Sequence, residues 1–359
     1  MSTTTVANGN VVDRFSGKFF KEYIRSSGFD ELMGTNENSA FQLVEDLMKQ
    51  SGDQITVPLV TRLINAGITG DSTLEGNEEA LGNYSHQITI NAIANAVRIT
   101  KMERIKTEID LLEASREMLK WWEVDTLRSA IIAALQSPVV DGKTAYASAT
   151  EDQKDTWVAA QYAANRVLFG AAKSNYSASD HSASLLNVDS TNDILQPNIV
   201  SLAKRTAKAA DPHMRPIRVD GGGEWYILLA GSLPFRDLKT HATMTQANRD
   251  GWVRGKDNPL FKDGDLMWDG VIIKEIPEIG VISTVGAGTP AIDCAANFLV
   301  GAQALGIAWG QRPKFVTKKF DYERQMGVAV DEVRGIEKLT FNSVQHGVLT
   351  VYTAAVADT

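Results

Sequence analysis

Between residues 86 and 99 apolar and polar positions alternate: Ile88, Ile90 and Ala92 fall on one side, Gln87, Thr89 and Asn91 on the other. That period of two predicts a half-buried strand. Residues 55–66 open the same way with Ile55, Val57 and Leu59, and Pro58, which lacks a backbone donor, pushes that strand toward a sheet edge. Residues 67–85 lose the alternation. They carry four glycines and four acidic residues and predict an exposed loop. The three segments together predict an extended hairpin with little core of its own.

The period changes after residue 100. Met102, Ile105, Ile109, Leu112, Leu119, Trp122, Leu127, Ile131 and Leu135 approximate one apolar stripe, with Glu103/Lys106, Glu113/Arg116 and Glu117/Lys120 as ion pairs on the other faces. A helix over 101–136 is about 54 Å long, and Pro138 ends it. Shorter helices are predicted over 40–49 (Phe41, Val44, Leu47, Met48), over 152–172, and over 194–210, the last capped by Asn192 or Asp193 and closed by Asp211-Pro212.

The second half reads as strands over 225–229, 271–275, 280–285, 314–320, 327–330, 338–341 and 348–354. Residues 294–310 hold no charge, but three glycines, Asn297 and Gln303 interrupt them. They fall short of the roughly 20 apolar residues of a membrane span, and they predict a buried strand followed by a short helix. A hairpin, then long helices, then a mixed segment, then late strands argues for an α+β fold rather than a βαβ alternation.

Composition narrows the function. The chain has 359 residues, 43% hydrophobic and 22% charged, which excludes disorder as its main state. A net charge of −8 weighs against a protein that grips nucleic acid by counterion release. One cysteine, Cys294, excludes a disulfide framework or a cysteine zinc site within the chain. The first residues carry neither a basic nor an apolar targeting segment, so we expect a soluble chain in a reducing compartment.

Candidate chemistry is thin. Gly286-Ala287-Gly288-Thr289-Pro290-Ala291 matches part of a dinucleotide fingerprint, but Pro290 sits inside it and position 311, where an acid belongs, is Gln. Asp71, Thr73, Glu75, Gly76 and Asn77 have the early spacing of a calcium loop, but Gly82 stands at the twelfth position in place of a bidentate Glu. Asp263, Asp265 and Asp269 form a second acidic cluster, read as solvated. The five histidines are scattered, and no G-x-S-x-G or P-loop motif occurs. No catalytic residue, cofactor or metal is expected.

Several ordered pieces carry a family resemblance. They are Gly70-Asp71 with Leu74-Glu75-Gly76-Asn77-Glu78-Glu79; Asn258-Pro259-Leu260-Phe261 ahead of a glycine turn and the strand Val271-Ile272-Ile273; and Lys319-Phe320-Asp321-Tyr322, Gly327, Gly335-Ile336, Lys338, Phe341-Asn342 and Gly347-Val348. The chain resembles the major capsid proteins of tailed phages, in particular those of podoviruses of the N-four type. The resemblance implies the Hong Kong 97-type capsid fold: an N-terminal arm (1–54), an extended E-loop hairpin (55–99), a peripheral domain with a spine helix (100–212), an axial domain (213–295), and a return to the peripheral domain (296–359). It also implies that copies form hexamers and pentamers of an icosahedral shell around double-stranded DNA, in a virion assembled in the host bacterial cytoplasm. Portal, scaffold and decoration proteins are the implied partners, with no membrane and no sequence recognition of the DNA. We expect the scaffold to be a separate protein, or absent. The other readings are an encapsulin-like compartment and a cytosolic nucleotide-dependent oxidoreductase using the Gly286 turn.

Within that frame the assembly interface is expected at the hairpin tip: Gly70, Asp71, Glu75, Gly76, Glu78 and Glu79. No Lys or Arg stands between Arg62 and Arg98, so the tip is acidic throughout. The basic partners expected on a neighbouring copy are Arg98, Lys101, Arg104, Lys106, Arg312, Lys314, Lys318 and Lys319.

Overall fold

The structure, a computed structural model, describes residues 28–45, 53–71, 73–107, 110–219, 223–250 and 266–358. The expected arm up to residue 27, the helical positions 46–49, the 258–261 piece and the acids Asp263 and Asp265 lie outside the described residues.

Near the N-terminus of the described chain, β1 (Phe41–Val44) is followed by a hairpin of β2 (Gln54–Val60) and β3 (Asn83–Thr89). Then come β4 (Asn91–Thr100), α1 (Lys101–Lys106), α2 (Leu111–Gln136), α3 (Glu151–Ala163), β5 (Val167–Phe169) and α4 (Pro197–Ala209). The chain continues through β6 (Gly223–Ala230), α5 (Ser232–Thr240), α6 (Ala242–Asp250), β7 (Leu266–Trp268) and β8 (Val271–Glu275). It closes with β9 (Cys294–Val300), β10 (Leu305–Phe320), β11 (Gln325–Lys338) and β12 (Val348–Ala354).

Two sheets organise these elements. In the first, the two-residue strand Met33–Gly34 is followed by β1, β10, β11 and β4. Alternation along β11 turns Val328 and Val330 toward α2, where they pack with Leu119, and each buried aliphatic side chain contributes about 1.5–3 kcal/mol. The second sheet runs β5-β12-β9-β6-β8-β7. Its central strands β9 and β12 are buried along their whole length, because α4 packs with one face and α2 and α3 with the other.

The structure corrects several expectations. The long helix is two helices: Thr100 and Glu103 form a capping box for α1, Thr107 turns extended, and the Asp110 carboxylate caps α2 by accepting from the amides of Leu112 and Glu113. Two N-caps ten residues apart start two helices; α2, with 26 residues, is about 39 Å long. Residues 41–44 form a strand, not a helix, since Phe41 and Leu43 also satisfy a period of two and the backbone pairs in parallel with β10. Residues 294–310 contain no helix. They are β9, a tight turn with Gln303 at positive φ, and the start of β10.

The helix predicted to reach 172 stops at 163, where Asn165 takes a positive φ and the chain turns into β5. Neither Asn192 nor Asp193 caps α4. Pro197 opens that helix, and buried Asp193 accepts from the amides of Ala171 (2.6 Å) and Asp189 (3.0 Å) and from Asn175 Nδ2 (3.1 Å). The first hairpin strand ends at Val60 rather than 66, and the second divides at Ile90 into β3 and β4. Helices α5 and α6 had no expectation. Among the described residues no helix is long and apolar enough to cross a membrane.

Candidate assembly interface

Among the described residues the hairpin is buried against the body only at its base, and farther out Arg62 ion-pairs with Asp211 of the body at 2.7 Å. Ile55 and Ile88 are buried with Ala308, Leu339 and Phe341. Three glycines make the seat. A Cβ at Gly306 would collide with the Ile88 side chain, one at Gly335 with the carbonyl of Thr89, and one at Gly310 would lie 2.9 Å from Ile90 Cδ1. A polar network lies beside the seat. Buried Glu337 accepts from the Thr89 amide (3.0 Å) and from Lys143 Nζ (3.2 Å), and His86 Nε2 lies 3.2 Å from its other oxygen. The Thr340 hydroxyl bridges His86 Nδ1 (3.1 Å) and the carbonyl of Val140 (2.9 Å).

Beyond the base none of the described loop residues is buried. No described residue from 61 to 85 falls in the core, and Leu63, Ile64, Leu74 and Leu81 are exposed. Of the expected tip residues, Gly70 and Gly76 sit at positive φ, where a side chain would be strained. Glu79 accepts from the amides of Ile64 (2.7 Å) and Asn65 (2.9 Å), and Glu78 from the amide of Gly76 (2.9 Å). These two acids fold the loop on itself. Asp71 and Glu75 are exposed.

The register of the first sheet sorts the basic candidates. Arg98 and Lys318 both stand across from Gly327, so they share a face, and both lie over the Phe320 ring, at 4.3 and 5.1 Å. Lys101 and Arg104 border a surface pocket with Tyr322, Arg324 and Met326. Lys106 ends α1 and Lys314 is exposed on β10. Two candidates are already paired within the chain: Lys319 with Glu323 (2.8 Å), and Arg312 with Glu45. Sequence reasoning missed Arg324 and the exposed apolar groups beside it, Tyr322 (99% exposed), Met102 and Ile105. Their signal, a turn flanked by two long strands, becomes legible only once β10 and β11 are paired.

The alternative chemistries do not assemble. The Gly286 turn leads into β9, a strand, so no helix N-terminus stands there to hold a pyrophosphate, and the dinucleotide reading is overturned. Among the described residues no three His, Cys, Asp or Glu side chains come together as a metal site. Asp269 is bonded to Lys204 Nζ at 2.9 Å. Burial pushes the Cys294 thiol up to about 12, and it pushes His181 and His346 down to about 4, so all three are uncharged at neutral pH.

An exposed, acid-tipped hairpin on a glycine seat and a basic, partly apolar sheet end are features of a subunit that works through its surfaces. The chain belongs to the phage capsid protein family, whose pattern it matches over residues 3–357. It is 28% identical to the major capsid protein of Pseudomonas phage KPP25 over 370 residues, 95% of this chain and 94% of that one. Its structure is similar to the capsid asymmetric unit of cyanophage Pam1, at 35% identity over the whole of both chains with a TM-score of 0.91. The capsid of Ralstonia phage GP4 shares the fold at 22% identity over the whole of both chains, with a TM-score of 0.76. The function is that of a major capsid protein of a tailed phage, a structural subunit of the virion capsid rather than an enzyme.

Proposed function

We propose that the chain builds its shell through the hairpin. In this reading the fold is the Hong Kong 97 type: β2, β3 and the loop between them are the E-loop, α2 is the core of the spine helix, and residues 213–295 form the axial domain between the two parts of the peripheral domain. Asp71 and Glu75 at the tip meet the basic group Arg98, Lys101, Arg104 and Lys318 of a neighbouring copy. Lys106 and Lys314 stand at its margins. Arg312 and Lys319 take part only if they exchange their partners within the chain. The observation that carries the reading is the contrast within the hairpin, whose base is buried on three glycines while its tip touches no core. A loop with exposed Leu63, Ile64, Leu74 and Leu81 gains by covering them, and charge sets where it docks.

Copies arranged as hexamers and pentamers then close an icosahedral shell around double-stranded DNA, assembled in the host cytoplasm with portal, scaffold and decoration proteins. The placement among N-four-type podoviruses rests on the ordered residue pieces alone. Electron microscopy of the purified protein tests the shell: closed particles with fivefold and sixfold clusters support it, and small discrete oligomers alone oppose it. Cross-linking between the tip and the basic group in assembled particles tests the docking. Linkage from residue 71 or 75 to Lys101 supports it, and linkage only within one copy opposes it.

A further inference from the structure

We propose that the outer edge of β4 is completed in the shell by the outer edge of β3 from a second copy, which joins the neighbour's hairpin to the first sheet as a continuous ladder. The proposal rests on the docking of the hairpin argued above and adds the backbone that would hold it.

Two edges that are unpaired among the described residues motivate it. In an antiparallel pair, residues alternate between those that exchange bonds with the partner strand and those that face away. The Lys101 amide donates to the carbonyl of Arg324, which extends the register of β4 with β11 by one residue and makes the odd-numbered residues of β4 the inward ones. Ala92, Ala94, Ala96, Arg98 and Thr100 therefore turn their amides and carbonyls outward. The Thr100 amide is taken by Glu103, and the Ala96 amide by the neighbouring side chain of Asn95 (2.8 Å). Ala92, Ala94, Ala96 and Arg98 are exposed.

The same accounting on the hairpin places the amides of Asn83, Ser85 and Gln87 outward, because the Thr61 amide donates to Gly82 and the Ile90 amide to Asp53. The fourth outward amide of that strand, Thr89, is held by Glu337.

An open edge is a template for another strand, and proteins ordinarily guard such edges. Elsewhere the guards are in place. The strand Met33–Gly34 has two residues, β5 and β7 have three each, and β2 carries Pro58 at an outward position. Strand β4 has ten residues, no proline and no lysine, and among the described residues its outward amides are covered only at Ala96, by the Asn95 side chain, and at Thr100, by Glu103. Among the described residues the outer edge of β3 is open at Asn83, Ser85 and Gln87.

Charge selects the second copy and the direction. An antiparallel pairing of β4 with a partner's β3 sets Asn83 of the partner subunit toward Arg98. The acidic tip that precedes it then lies along Lys101 and Arg104 of α1. The parallel direction carries the tip toward the uncharged start of β4. A two-stranded hairpin is marginal alone, and a third strand gives it the sheet it lacks.

Hydrogen exchange on unassembled subunits and on shells of this chain alone tests the ladder. Protection of the amides of Ala92, Ala94, Arg98, Asn83, Ser85 and Gln87 by at least about tenfold in shells is expected. Shells in which these amides exchange as in the free subunit overturn it while leaving the capsid reading intact. Protection of the β4 set without the β3 set overturns the named occupant, and so does protection seen only when another virion protein is present. The variant test is Ala94→Pro, which removes an outward donor and leaves the bonds to β11 in place, compared with Ala94→Val, which keeps it. We expect the proline variant to remain a folded subunit by circular dichroism and to lose shell yield at least about tenfold, with the valine variant unaffected. Equal shell yields from both variants count against the ladder.

Discussion

Lys338 ends β11 beneath the C-terminus of α2 and donates from Nζ to the carbonyl oxygen of Leu135 at 3.0 Å. The Ser137 carbonyl accepts from the same ammonium at 2.9 Å, and the Trp157 ring lies 5.6 Å away. The side chain therefore closes the helix end that Pro138 leaves open. Burial pushes its pKa down to about 7, against the pull of Asp141. A lysine depressed in the folded state is protonated more readily in the unfolded chain, where its pKa is about 10.4. Stability should then rise with pH between about 7 and about 10.4 and be level below that window. Glu332 lies on the same strand with the opposite sign. Burial pushes it up to about 7, with Arg334 opposing and Glu123 and Asp331 adding to the rise. Its contribution is present below about pH 4.3 and fades as pH climbs to about 7. Thermal unfolding of the subunit across pH should show Lys338→Met flattening the slope above 7, and Glu332→Gln flattening the slope below it. A wild-type chain with no slope in either window contradicts both assignments.

Gly335 and Thr89 define a second dependence. A methyl group at Gly335 has no room beneath the Thr89 carbonyl, so the hairpin must shift to admit it. Overpacking of this kind costs about 1–3 kcal/mol. Gly335→Ala should lower the denaturant midpoint and speed exchange of the Thr89 amide, which Glu337 holds. Gly306→Ala should act the same way through Ile88. Gly280→Ala, which meets no atom within 4 Å, should change neither measurement.

Much of this fold was legible in the residues. Val271–Glu275 and Val348–Ala354 are strands at the expected positions, and the hairpin lies where alternation around an acidic loop placed it. Residues 294–310 misled because strands buried on both faces lose their alternation, and a continuous apolar run fits a helix as well as a strand. The break before Asp110 was written in the sequence as two caps, but the apolar stripe ran on through it and outweighed them. The interface was legible as a list of charges and not as a surface. Arg98 and Lys318 are 220 positions apart and meet only through their common partner Gly327. Glu78 and Glu79 were legible as acids of the tip, but not the loop amides from which they accept, since those bonds form only once the loop folds.

The hairpin contains no lysine from residue 50 to residue 100. The loop therefore cannot supply the lysine amine of an isopeptide cross-link, and we expect cohesion between copies to be non-covalent at this site. Denaturing gels of mature particles should show the subunit as a monomer band without covalent multimers. A ladder of covalent multimers mapped to residues 50–100 would refute this.

The acids of the tip should separate into two classes under mutation. Glu79 receives two backbone amides, so Glu79→Ala should release the loop. Each such bond to a charged group contributes about 1.5–3 kcal/mol when well formed and less at an exposed site like this one. The defect should appear in the free subunit as faster exchange at Ile64 and Asn65, and salt should not repair it. Asp71 and Glu75 are exposed at the tip, so Asp71→Lys with Glu75→Lys should leave exchange at Ile64 and Asn65 unchanged. Assembly should suffer instead. An exposed pair contributes only about 0.2–1 kcal/mol, but every subunit of a closed shell repeats it, and reversal replaces attraction with repulsion. Raising ionic strength past a Debye length of about 8 Å should restore part of the yield, because screening removes the repulsion. Reversal at Lys101 and Arg104 to Glu should rescue the double variant in low salt while impairing assembly of the wild-type tip. Light scattering of assembly across salt concentrations measures both outcomes. A double variant that assembles like wild type at every ionic strength would leave the four basic residues without their proposed partner. The exposed Leu63, Ile64, Leu74 and Leu81 would then be the side chains that seat the tip.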